Sequence, residues 1–60
     1  MPNYRVLFRL LGSDHDTITN LEVKDLITLT EQLGGARYKY LYAHEILADG
    51  NVREVLTWET

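Results

Sequence analysis

Between two runs of alternating side chains, "RYKYLYAHEILA" and "NVREVLTWE", stands Asp49-Gly50, and few dipeptides restrict a short chain more. A two-residue type I′ hairpin turn needs positive φ at both central positions, which Asp and Gly tolerate. Taken as the two loop residues, they set the strand register: Leu47 faces Val52, Ala43 faces Leu56 and Leu41 faces Trp58. These side chains share one aliphatic face, marred by Glu45 opposite Glu54, a like-charge pair. The other face then carries Tyr38, Tyr40, Tyr42, His44 and Ile46 from one strand, with Arg53, Val55 and Thr57 from its partner.

The remaining elements supply what covers the aliphatic face. "YRVLFRLL" reads as a strand ended by the turn formers "GSDHD". Its Val6, Phe8 and Leu10 can join a core, while Arg5, Leu7, Arg9 and Leu11 extend the tyrosine face. "TITNLEV" alternates as a short second strand, although Thr19 with Glu22 also fits a capping box that would start a helix early and give β-α-β-β. "KDLITLTEQLGG" is the one helix: Val23, Leu26, Ile27, Thr30 and Leu33 recur at helical spacing, Leu29 widens the stripe, and Gly34-Gly35 stop it. The expected fold is α+β, a single domain over residues 1–60 in the order β-β-α-β-β. Its antiparallel sheet is meander-like, with one helix on its aliphatic face and Phe8, Leu26, Ile27, Leu33, Leu41, Leu56 and Trp58 in the core.

Size and composition remove several function classes. A chain of 60 residues buries only a thin core, and without cysteine it has no disulfide staple, thiol nucleophile or Cys-type zinc site. No apolar run is long enough for a membrane span, and "MPNYRVLFRLLG" lacks the form of a signal peptide, so a cytoplasmic protein is expected. The net charge of −3 disfavours duplex DNA as a partner. His15 in "SDHD" lacks metal-ligand spacing, and His44 and Glu45, adjacent in a strand, point to opposite faces and cannot act together. Neither a cofactor, a metal nor an enzymatic activity is expected.

One helix covers one face of a sheet, which leaves Arg5, Leu7, Arg9, Tyr38, Tyr40, Tyr42, His44, Ile46 and Arg53 on an open one. Tyrosines are good strand formers whose hydroxyls can simply stay wet. Accompanied by aliphatic side chains and Arg, they read instead as a binding face. The expectation is a homodimer that binds a host or cellular protein, as a small phage- or mobile-element-type regulator or inhibitor. The same aromatic and basic face could alternatively stack single-stranded nucleic acid. A second alternative uses the acidic side chains Glu22, Asp25 and Glu31, with Asp14 and Asp16, as a mimic of a phosphate backbone. In outline, a compact, acidic, cysteine-free chain with one helix on a small antiparallel sheet resembles the dimeric inhibitors that bacteriophages make against host uracil-DNA glycosylase. No motif ties that resemblance to particular residues, and it implies an inhibitor of a DNA-binding enzyme only at the level of the fold.

Overall fold

The computed structural model describes all 60 residues. Strands β1 (Asn3–Leu10) and β2 (Thr17–Glu22) form a hairpin, helix α1 (Leu26–Leu33) follows, and β3 (Tyr38–Ile46) and β4 (Val52–Glu59) form a second hairpin. The α+β class and the order β-β-α-β-β are as the sequence indicates, second strand included. The four antiparallel strands make one sheet in the order β2-β1-β3-β4, which is not a meander. The chain leaves edge strand β2, crosses through α1 and returns on the far side of β1, so β1 is interior. The molecule measures 36 × 20 × 15 Å, the thickness of one sheet plus one helix.

Asp25 sets where the helix begins. Its backbone is extended and its Oδ1 accepts the Thr28 N–H at 2.8 Å, an N-cap that starts the helix later than the Val23 periodicity suggests. The inward stripe is therefore Leu26, Leu29 and Leu33, with Leu29 fully buried, and Ile27, expected in the core, is 71% exposed. Leu29 packs with Tyr4, Val6, Val23, Leu41 and Ala43 as the buried core. An eight-residue helix is only about 12 Å long and leaves the β4 side of its face thinly covered. Trp58, also expected in the core, is 48% exposed there, and Leu10 is 42% exposed.

Two bulges redistribute the side chains. At the β3–β4 turn the Gly50 N–H donates to the Leu47 carbonyl (3.0 Å) and the Leu47 N–H to the Asn51 carbonyl (2.8 Å), so three residues, not two, form the loop. Only Gly50 has positive φ, at +88°, which is a type I turn followed by a left-handed glycine and not the expected type I′ turn. The extra residue slips the register by one: Glu45 faces Arg53 and His44 faces Glu54. Glu45 and Glu54 thus never meet, and Arg53 Nη2 lies 2.6 Å from Glu45 Oε1. A bulge at Val55 absorbs the slip, so Ala43 still faces Leu56 and Leu41 still faces Trp58. A second bulge, at Lys39, lets Arg9 face Tyr40 while Leu10 faces Tyr38. It turns Tyr38 onto the helix side, where the hydroxyl donates to the Leu33 carbonyl (3.0 Å) and the ring meets Phe8 edge-on at 5.3 Å. Tyr38, Arg53, Val55 and Leu11 all leave the open face that strict alternation assigned them.

Candidate functional site

The face away from the helix is built from rows that cross the sheet. Ile18, Leu7, Tyr42 and Thr57 stand side by side on β2, β1, β3 and β4. One row is Asn20, Arg5, His44 and Glu54, and beyond it Ile46 faces Val52. On the other flank Arg9, Tyr40 and Glu59 form a row that Asp16 joins from the β1–β2 turn. Ile18 is 65% exposed and Val52 54%, whereas Leu7, Arg9, Tyr40, Tyr42, His44 and Ile46 are half-buried by one another.

The aromatic centre is held by polar tethers. The Tyr40 and Tyr42 rings stack with centroids 5.5 Å apart, and the Arg9 guanidinium carbon sits 5.9 Å from the Tyr40 ring centre. Arg9 Nε donates to Asp16 Oδ1 at 2.9 Å, and the Tyr40 hydroxyl donates to the same carboxylate oxygen. The Tyr42 hydroxyl donates to Glu59. The Tyr40 hydroxyl, followed by Arg9, holds the Asp16 carboxyl below its ordinary pKa, and both tyrosine hydroxyls are raised chiefly because they donate to carboxylates. Asp16 in turn raises Arg9.

Of the residues that the sequence assigns to a binding face, the structure gathers Arg5, Leu7, Arg9, Tyr40, Tyr42, His44 and Ile46 and sends Tyr38 and Arg53 to the other side. Sequence reasoning missed Ile18 and Glu59, and set Asp16 with the acidic alternative instead of beside Arg9 and Tyr40. Alternation along "TITN" marks Ile18 as a neighbour of Leu7, but only the β1–β2 pairing shows it, and nothing local says that a turn aspartate reaches back to Tyr40. The acidic alternative does not assemble: Glu22 follows Ile18 and Asn20 onto the open side, Asp25 is held by Thr28, and Glu31 stands exposed on α1.

A concavity of about 500 Å³ lies on the helix side, at the C-terminal end of α1, walled mainly by Leu11, Leu33, Tyr38, Leu41, Leu56 and Trp58. No three His, Cys, Asp or Glu side chains converge as metal ligands would, and Ser13, Asp14 and His15 hydrogen-bond among themselves. No helix is long and apolar enough to cross a membrane. Compared with protein-family models, curated proteins and solved structures, the chain matches none.

Proposed function

We propose that this chain is a non-enzymatic protein-binding module that pairs with a second copy through its open sheet face. In that form it engages a cellular protein as a small regulator or inhibitor of the kind that phages and mobile elements encode. The observation that carries the reading is the Ile18–Leu7–Tyr42 row, continued by the Tyr40 ring, in a chain that buries only six of its residues. A uniform row of this kind, wet in a lone chain, gains most from a matching surface. A twofold axis parallel to the strands, between β1 and β3, lays β1 of one copy on β3 of the other. Leu7 then meets the partner's Tyr42, Arg9 the partner's Tyr40, and Arg5 the partner's His44 beside Glu54. A standard interface takes about 800 Å² from each partner, and the whole chain exposes 4281 Å², so one broad side of this slab is the appropriate scale.

Sedimentation velocity across a concentration series tests this. The parent chain should shift from monomer to dimer, and Tyr40→Ser with Tyr42→Ser should weaken association by on the order of tenfold or more. A parent that stays monomeric at millimolar concentration would falsify the reading.

The stacked Tyr40–Tyr42 pair also favours a second reading, a platform for single-stranded nucleic acid. Charge weighs against it: Arg5 and Arg9 share that side with Asp16, Glu22, Glu54 and Glu59, which would repel phosphates. Binding to an oligonucleotide that falls steeply with salt would reverse the preference.

A further inference from the structure

The two edges of the sheet are unlike. Edge strand β4 carries the Val55 bulge and the charged Arg53, Glu54 and Glu59, devices that deter another strand from pairing. Edge strand β2, "TITNLE", has none of them: its register with β1 is unbroken, and its one charge, Glu22, is terminal. Which backbone groups of β2 are free follows from one hydrogen bond, from the Val23 N–H to the Pro2 carbonyl. Antiparallel pairs alternate between hydrogen-bonded and non-bonded positions. The bonded positions against β1 are therefore Leu21, Thr19 and Thr17, and Ile18, Asn20 and Glu22 aim both N–H and C=O away from the sheet.

We propose that β2 pairs antiparallel with β2 of a second copy, joining two four-stranded sheets into one of eight. Outward groups must meet outward groups, which leaves two registers that keep five of the six β2 residues paired. Centred on Thr19, Ile18 bonds with the partner's Asn20, and Asp16 falls opposite the partner's Glu22, a like-charge contact. Centred on Asn20, Asn20 faces the partner's Asn20 and Ile18 faces the partner's Glu22, for about six main-chain hydrogen bonds. Asp16 then lies opposite the partner's Lys24, a cation with no ion-pair partner in its own chain. Hydrogen bonding and charge select the same register, the one centred on Asn20. This contact uses the backbone of an edge and does not depend on the open-face pairing.

The chain has no cysteine, so a single introduced thiol reports the register directly. Across the Asn20 centre the two Cα atoms stand about 5.5 Å apart, inside the disulfide range of about 4.4–6.8 Å. Asn20→Cys should therefore form a covalent dimer on mild oxidation, seen on a non-reducing gel. Thr19→Cys puts its copies on a diagonal of about 7–8 Å, and Ile18→Cys puts them farther apart, so both should remain mostly monomeric. Asn20→Pro removes an outward N–H without touching the β1 ladder, and should abolish edge pairing in sedimentation while the circular-dichroism spectrum stays parental. Equal cross-linking of the three folded variants, preferential linking of Thr19→Cys or Ile18→Cys, or Asn20→Pro associating like the parent would each overturn the proposal. Repeating the Asn20→Cys assay with Tyr40→Ser and Tyr42→Ser separates the two contacts, because edge cross-linking should persist when the open face is disabled.

Discussion

The four tyrosines divide evenly between the two faces of the sheet, Tyr4 and Tyr38 toward the helix and Tyr40 and Tyr42 away from it. All four hydroxyls hold their protons above the ordinary value of 10.0, for different reasons. Burial raises Tyr4, with Glu45 adding to it, and burial alone raises Tyr38. Carboxylate acceptors, Asp16 and Glu59, are the main cause for Tyr40 and Tyr42. On the covered side a ring is fixed by the exclusion of water. On the open side it stays wet and its hydroxyl is tethered, which keeps a flat, ordered aromatic surface available without a second layer to bury it.

The contrast breaks most sharply by truncation. Tyr4→Ala, at a site only 3% exposed, should cost about 3–5 kcal/mol, the range for a buried aromatic ring. Tyr42→Ala should leave the urea midpoint of the dilute chain close to parental, and similar losses from both would erase the distinction between the faces. A smaller loss, about 1–2 kcal/mol, is expected for Gly50→Val, because a β-branched residue must take up the positive φ that sets the hairpin register.

Spectrophotometric titration sharpens the comparison further. With the folded pKa values raised, the hydroxyls favour the fold below the ordinary tyrosine pKa, and that contribution is lost as pH rises through the raised values. Asp16→Asn should bring Tyr40 down toward ordinary ionisation and Glu59→Gln should do so for Tyr42, while Tyr4 and Tyr38 stay where burial puts them. The smallest effect is at acid pH. Asp16, on the open side, and Asp25, at the helix cap, are both held below 3.8. Their contribution is complete above pH about 4 and fades as pH falls through the depressed values. Asp25→Asn and Asp16→Asn should each flatten the acid limb of a melting-temperature profile slightly.

The sequence made the strands, the helix and the Asp49-Gly50 hairpin legible because alternation, helical spacing and turn chemistry are local. It also placed Leu7, Arg9, Tyr40, Tyr42 and His44 together, since period-two patterning survives wherever the ladder is regular. What it concealed traces to single-residue slips. The bulges at Lys39 and Val55 carry no compositional mark, yet the first moves Tyr38 across the sheet. The extra loop residue pairs Arg53 with Glu45, an outcome that the unfavourable Glu45–Glu54 contact already hinted at. Ile27 and Leu29 stand two residues apart and are both strongly apolar, so composition does not choose between them; in the helix that Asp25 caps they lie on opposite sides, Leu29 buried and Ile27 in solvent.

The interior position of β1 also orders the folding of the chain in time. β2 follows β1 directly across the turn and can zip onto it on the microsecond scale of hairpins, about 1–10 μs. The other neighbour, β3, begins only at Tyr38, so one flank of β1 waits through the helix for a partner that is made late. Closing that long loop, and not forming either hairpin, is then the slow event. A two-stranded ribbon is marginal by itself in water, and the halves meet where β1 pairs with β3 and where Leu29 and Leu33 of α1 reach Leu41 and Tyr38. Cutting the connection at Gly34–Arg37 should accordingly leave a β1–β2–α1 piece and a β3–β4 ribbon that lose their circular-dichroism signal together once they part.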